Sequence, residues 1–307
     1  MSGAAASASV APADGLRALS RRAPWRDYLA LTKPGITRHV VVAAAAGFYL
    51  GTSGAFDWPR LAALLAGTAL VSSGTNGLNQ WWERDVDARM PRTSSRPLAA
   101  GRIRPRNAFL FALGLGVAGT ALLAWTVNAL TAVLAAFTLT SYVLAYTPLK
   151  KRTTLNTLVG CVPGALPILG GWTAATGAFA PGAWALFAVL YLWQLPHTLA
   201  LAWMHRADYR AGGLVMVGGD DETGARTALK STAYAVALLG ASLALTPLGV
   251  TGRLYAAVAL ALGLGLVWYG GAWAVRPERA RARRLFLATL AYLPLLLVAM
   301  GVGKAIS

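Results

Sequence analysis

Asn79, Glu83 and Asp87 recur at every fourth position near the end of one long apolar run. On an α-helix each step of four turns about 400° and rises about 6 Å, so the three side chains form one slightly drifting stripe. Such a stripe offers two carboxylates and an amide oxygen to a hard cation. Magnesium takes oxygen ligands and commonly bridges one or two carboxylates to substrate phosphates. Asp85 falls on another face, where it pairs with a neighbouring arginine or meets water. Directly downstream, Met90-Pro-Arg-Thr-Ser-Ser-Arg-Pro-Leu98 brings Arg92 and Arg96, whose forked guanidiniums suit the oxygens of a diphosphate. The chain holds only 11 Asp and Glu in 307 residues, and Glu83, Asp85 and Asp87 are among them. A charge at membrane depth costs on the order of 3 kcal/mol and by default marks function. The stripe therefore reads as a divalent-cation site for an anionic substrate, against the blander reading of a helix end carrying solvated charge.

The elements that must hold these groups are membrane spans. Of the residues 56% are hydrophobic and 13% charged, with a mean hydropathy of +0.53, whereas soluble domains carry about a quarter charged residues. Apolar runs long enough to cross a bilayer recur, and they predict nine helices near 36–53, 60–82, 107–125, 128–147, 154–173, 181–203, 230–248, 252–274 and 284–303. The fold class is an all-α polytopic membrane protein. When the loops are assigned to the two sides in alternation, all of the 28 Lys and Arg except Arg60, Arg253 and Lys304 fall on one side. That asymmetry puts the N-terminus in the cytoplasm and, with an odd number of spans, the C-terminus outside. The net charge of +17 is then topology and contact with anionic membrane lipid, and nucleic-acid binding is excluded as its explanation. Residues 1–24, rich in Ala and Ser and lacking a signal-type apolar core, read as a disordered cytoplasmic tail ahead of a transmembrane domain over 25–307. The lone Cys161 lies in an apolar span, has no intrachain partner for a disulfide, and reads as a small core residue.

Three further blocks carry polar residues in unusual surroundings. Leu31-Thr-Lys-Pro-Gly-Ile-Thr37 leads into the first span, with Lys33 placed to meet either a diphosphate or lipid headgroups. Tyr146-Thr-Pro-Leu-Lys-Lys-Arg-Thr-Thr-Leu-Asn156 joins the fourth span to the fifth, ahead of Gly160, Gly164 and Gly170-Gly-Trp172. Trp193-Gln-Leu-Pro-His197 closes the sixth span and is followed by His205 and Asp208. On a continuous helix His197 and Asp208, eleven residues apart, share a face, although Pro196 can kink it. A lone histidine in an apolar helix is most often a hydrogen-bonded structural group.

Taken together, Asn79-x3-Glu83-x3-Asp87 with Arg92-Thr93-x2-Arg96-Pro97-Leu98 resembles the first signature of the UbiA-type intramembrane prenyltransferases. The three further blocks are similar to their heme O synthase branch. The resemblance runs from about Tyr28 to the ninth span, and its specific motifs lie between Leu31 and Gly213. Glu83 stands where the family usually has Asp, which keeps the carboxylate and lengthens it by one methylene.

The resemblance implies a helical bundle with a central cavity opening to the cytoplasmic side of a bacterial inner membrane. It implies Mg2+ held by Asn79, Glu83, Asp87 and Asp208, with Asp87, Glu83 and Asp208 as the catalytic set. Diphosphate contacts fall to Arg92, Arg96, Lys33, Lys150 and Arg152, and Tyr146 joins the substrate-binding residues. His197 is the first candidate to ligate heme iron, ahead of His39. Farnesyl diphosphate and heme b are the implied substrates, heme b not being a resident cofactor, and the product is heme O. A downstream heme-modifying or oxidase-assembly protein is the implied partner. Two alternatives stay open: transfer to an aromatic quinone precursor, and heme handling without catalysis.

Overall fold

The computed structural model describes residues 25–305; the tail expected over residues 1–24 lies outside them. A short surface helix α1 (Trp25–Leu31) precedes the long helices α2 (Pro34–Gly51), α3 (Trp58–Asp87) and α4 (Pro105–Thr126). Next comes α5 (Ala129–Thr140), which passes into a π-helical stretch, Ser141–Tyr146, and ends in the single turn α6 (Thr147–Leu149). The chain continues through α7 (Asn156–Thr176), α8 (Pro181–Met204), the short α9 (Arg206–Ala211), α10 (Ala225–Ala244), α11 (Arg253–Val275) and α12 (Arg279–Ala305). Among the described residues eight helices, counting Ala129–Leu149 as one, are long and apolar enough to span a membrane. The ninth expected span forms as α2, but Arg38 and His39 leave it less apolar than the others.

Local sequence explains the helix starts. Proline occupies the first turn of α2, α3, α4 and α8, where its missing N–H costs nothing. Asp57 and Asn128 accept hydrogen bonds from the backbone N–H of Arg60 and Thr131 and so cap α3 and α5. The helix ends depart from the apolar runs where polar groups have partners. Thus α3 extends to Asp87, five residues past the predicted end at 82, because its last turns are buried and paired; α10 begins at Ala225 and not near 230.

The helices form a ring. α3 packs on α4, α2 on α3 and α7, α7 on α8, and α8 on α10 and α12, while α12 returns to α2. Small residues let α2 and α7 cross closely. A Cβ on Gly47 would overlap the Ile168 carbonyl, and one on Gly171 would overlap that of Ala44. One core fills the space among α8, α10, α11 and α12, including Trp203, Tyr255, Trp273 and Tyr292. A second, around Phe48, Leu64, Val71 and Leu123, fills the first half. Where the ring closes, Lys304 of α12 donates to the carbonyls of Tyr49, Leu50 and Thr52 at the C-terminal end of α2, at 2.6, 2.9 and 2.5 Å. One expectation fails here. α8 runs as a helix through Pro196 but stops at Met204, and His205 leaves helical geometry (φ −108°, ψ 21°), so His197 and Asp208 sit on different helices.

Candidate active site

The stripe forms as predicted and lies inside the protein. Asn79, Glu83 and Asp87 are 2%, 6% and 1% exposed on the last turns of α3, too buried for the solvated-charge reading. Each has a partner from another segment. Arg96 Nη1 donates to both Asp87 oxygens at 2.8 and 2.7 Å, and Thr93 Oγ1 donates to the Asp87 carbonyl at 2.9 Å, pinning the arginine-bearing loop to the helix end. Lys150 Nζ lies 2.9 Å from Glu83 Oε1 but off its hydrogen-bonding direction, so this buried oxygen is charge-compensated and still lacks a hydrogen bond. Asn79 receives Lys33 Nζ on its oxygen at 3.4 Å and donates to Thr147 Oγ1 at 3.2 Å. Asp85 behaves as its spacing predicts: 77% exposed, with Arg84 at 3.7 Å.

Two lysines therefore approach the stripe, and their electrostatics differ. Lys33 sits between α1 and α2 with φ +45°, a left-handed conformation that costs a non-glycine residue free energy and turns its side chain back toward α3. Burial, together with the charges of Arg96 and Lys150, brings its pKa down to about 7. For Lys150 burial also disfavours the charge, but Tyr146 and Glu83 more than offset it, and its pKa lies above the ordinary lysine value. Its ammonium also lies 4.5 Å from the Tyr146 ring centroid.

The remaining sequence candidates are not gathered so closely. Arg92 stacks over Tyr209 of α9 at 5.7 Å, which brings α9 beside the loop after α3. Asp208, on that short helix, pairs with His205 at 3.3 Å instead of with the stripe. Among the described residues no three of His, Cys, Asp and Glu converge on one point, so Glu83, Asp87 and Asp208 do not form a ready-made triad. Arg152 is exposed. Asn156 is fully buried and donates to the carbonyls of Thr153 and Val215, while Val215 N–H donates to Lys150 O at 2.7 Å; this block holds the loop after α9 against Lys150.

Above the stripe lies a cavity of about 340 Å3, lined by residues of α2, α3, α5, α7 and α8, with Leu123 of α4 and Leu293 of α12. Its walls are mostly apolar, and Tyr142 and Tyr146 stand at its Asn76 end with ring centroids 4.9 Å apart. Cys161 is on the wall and free. His39, the second choice by sequence, lines this cavity; its Nδ1 faces Gly35 O at 2.6 Å, which leaves Nε2 as the lone-pair nitrogen. His197 is not on the cavity wall. It stacks between Trp193 and Phe286 at 5.3 and 4.7 Å and meets Thr289 Oγ1 at 2.9 Å, at the contact of α8 with α12.

Several residues that matter here escaped sequence reasoning. Thr147 positions Asn79, and Gln80 donates to Leu31 O at 2.8 Å, which fixes the turn that carries Lys33. A polar residue inside an apolar run was the available signal for Gln80. Asp221, in the loop ahead of α10, is 4% exposed and accepts hydrogen bonds from Gly224 N, Thr227 N and Thr227 Oγ1 at 2.7–2.9 Å, capping α10. Nothing in its spacing announced that.

The donor set on α3 fits magnesium. It is all oxygen, it is buried, and Glu83 Oε1 has no hydrogen bond to lose. A model of the UbiA prenyltransferase family matches residues 40–295. A protoheme IX farnesyltransferase of Anaeromyxobacter sp. (strain Fw109-5) is 46% identical over 281 residues, covering 91% of this chain and 93% of that protein. Another, of Solibacter usitatus, is 41% identical over 280 residues, covering 88% and 96%. Among solved structures, a digeranylgeranylglyceryl phosphate synthase shares the fold with a TM-score of 0.79 at 16% identity, over 92% of this chain and 99% of that one. A UbiA homologue from Archaeoglobus fulgidus, bound to GPP and Mg2+, superposes with a TM-score of 0.65 at 16% identity, over 89% and 99%.

Proposed function

The chain belongs to the UbiA prenyltransferase family, and from that premise we propose that it transfers the farnesyl group of farnesyl diphosphate to a vinyl group of protoheme IX. Water is added in the same overall reaction, and the products are heme O and diphosphate. The observation that carries the reading is the placement of two buried acids on α3, paired with Arg96 and Lys150 from other segments, beside an apolar cavity inside a membrane bundle. The high identity to protoheme IX farnesyltransferases over nearly the whole chain supports the acceptor.

The roles follow from the geometry. Glu83, Asp87 and the Asn79 oxygen would hold Mg2+, with Asp208 reaching it only if its pair with His205 opens. When bound, the ion supplies Lewis-acid neutralisation of the diphosphate. Lys150 and Arg96, released from Glu83 and Asp87, turn to the diphosphate oxygens and are joined by Lys33 and Arg92; charge-assisted hydrogen bonds there strengthen as the leaving group gains charge. Tyr142 and Tyr146 face the allylic carbon with their rings and stabilise its positive charge, while the apolar walls keep bulk water from it. His39 lines the cavity with Nε2 as its lone-pair nitrogen, and it is the residue we assign to the heme iron; His197 positions Trp193, a wall residue. The charge asymmetry of the loops supports an N-terminus on the cytoplasmic side and the diphosphate site on the same side.

The test is product formation. Protein in nanodiscs is given heme b and farnesyl diphosphate, with and without Mg2+, and extracted hemes are weighed. A magnesium-dependent product with the mass of heme b plus farnesyl and water is expected. Recovery of unaltered heme b from folded, heme-loaded protein, together with prenylation of an offered aromatic ring, would overturn the acceptor assignment.

A further inference from the structure

Farnesyl transfer to a vinyl group differs from transfer to an aromatic ring in one respect that the protein must answer. When the allylic carbon bonds to the terminal vinyl carbon, the positive charge moves to the inner vinyl carbon, beside the porphyrin. An ordinary prenyl transfer would end by losing a proton from the newly bonded carbon and restoring a double bond. Here a water oxygen must bond to the cationic carbon instead, and one water proton must leave. A water held in the right place decides between the two outcomes.

The polar stripe of α3 does not stop at Asn79. It continues toward the membrane interior as Asn76, Thr75, Ser72 and Thr68, all on the wall of the cavity. Polar groups at this depth in a spanning helix are costly unless they are satisfied or used. Their hydrogen bonds have a fixed direction. Thr37 Oγ1 donates its one proton to Thr32 O at 2.9 Å, so it can only accept from its other neighbours. Ser72 Oγ, 3.2 Å away, must therefore be the donor of that pair, and Asn76 Nδ2 donates to Thr37 Oγ1 and to Thr32 O, both at 3.4 Å. With these donors committed, the Ser72 oxygen lone pairs and the Asn76 Oδ1 are left on the cavity wall one helical turn apart. Two acceptors one turn apart on the same helix face mark this part of a mostly apolar wall.

We propose that Ser72 and Asn76 hold the attacking water, accepting its two hydrogens so that its lone pair faces the cationic vinyl carbon. The proposal rests on the farnesyl-to-heme reading above. In the step itself the water oxygen bonds to the cationic carbon, and the extra proton passes to an oxygen of the diphosphate set free in the preceding step. That anion lies close by, because Asn79 is three residues, about 4.5 Å of helix rise, beyond Asn76. The sum is farnesyl diphosphate, heme b and water going to heme O and protonated diphosphate, with no redox partner. The Thr37–Thr32 bond acts through Ser72 and Asn76, which makes Thr37 a positioning residue.

The product mixture tests this. Wild-type protein in 18O-labelled water is expected to give heme O carrying the label. In Ser72→Ala and Asn76→Leu the ratio of hydrated product to the product lighter by one water, the diene, is expected to fall at least about tenfold, while diphosphate release continues. Ser72→Ala keeps the Asn76 links to Thr32 and Thr37, so it gives the answer if Asn76→Leu does not accumulate. A Thr68→Val control, one turn farther from the diphosphate, should leave the ratio near that of wild type. An unchanged ratio in a folded Ser72→Ala, Asn76→Leu double variant overturns the proposal. If the wild type makes no farnesylated heme at all, it is the underlying reading that fails.

Discussion

Lys150 Nζ rests 2.9 Å from Glu83 Oε1, so the ammonium proposed to bind diphosphate is held by the carboxylate proposed to bind the metal. One turn along α3 the same relation recurs between Arg96 and Asp87. Buried charges have to be paired, since leaving either partner alone in a low-dielectric site costs several kcal/mol, on the order of 3–5. Under the proposed function, metal and diphosphate would therefore exchange partners with the protein together: the cation would take the carboxylates, and the anion the lysine and the arginine.

Coupled binding is the first consequence. Mn2+ alone should bind weakly to the wild type, and pyrophosphate should tighten it by roughly 5- to 150-fold, the range of ordinary coupling free energies. In Lys150→Gln the metal no longer competes with an ammonium for Glu83, so Mn2+ alone binds more tightly and the gain from pyrophosphate shrinks. Titration calorimetry on nanodiscs reads both quantities. Equal Mn2+ affinity in the two proteins would separate Lys150 from the metal site.

Asp87→Ala should reduce prenyl transfer by at least about 100-fold, the scale of losing one charge-stabilising group at a reacting centre. Heme binding, read from the Soret band, should persist, because the cavity walls lie farther along the bundle. Activity near wild type would remove Asp87 from the site.

The two histidines should part company in the same spectra. His39→Ala is expected to shift the Soret band and weaken heme binding, since His39 lines the cavity and its Nδ1 is engaged by Gly35 O. In His197→Ala the band position should stay close to wild type, with any loss of affinity following from the loosened Trp193. The reverse pattern would return the iron to His197.

Asp221 sets an acid limit on the loop ahead of α10. Burial opposes its charge, and the hydrogen bonds from Thr227, Gly224 and Thr223 outweigh it, so the folded pKa lies below the ordinary aspartate value. A depressed folded pKa gives stability that is present above the unfolded value, about 3.9, and lost as pH falls through the folded one. Asp221→Asn loses acceptors for Thr227 and should be less stable at neutral pH, with a flatter acid limb. Hydrogen exchange at the start of α10 between pH 7 and pH about 3 measures it.

Much of this was legible in the sequence because chemistry in a membrane is conspicuous. The stripe 79–83–87, the helical class and the loop arginines all stand out against an apolar background. What could not be read was direction. The left-handed turn at Lys33 and the carboxylate–cation pairing depend on tertiary contacts. So does the break at His205, which separates His197 from Asp208, and hydropathy is blind to it. His197 sits in the more distinctive motif and His39 in none, yet the helix orientation puts His39 on the cavity wall.

The π-helical stretch Ser141–Tyr146 acts as a one-residue gear. The wall positions Leu134, Thr138, Tyr142 and Tyr146 recur every fourth residue, with Lys150 next in the series. In an α-helix that interval drifts by about 40° each time, and a wider turn takes the drift back up. Losing a single residue between 141 and 146 would leave a well-formed, apolar, insertable helix whose tyrosines and lysine look elsewhere. Length in this segment is therefore constrained as tightly as the two tyrosines it aims, since a lost residue would misdirect them without changing either one.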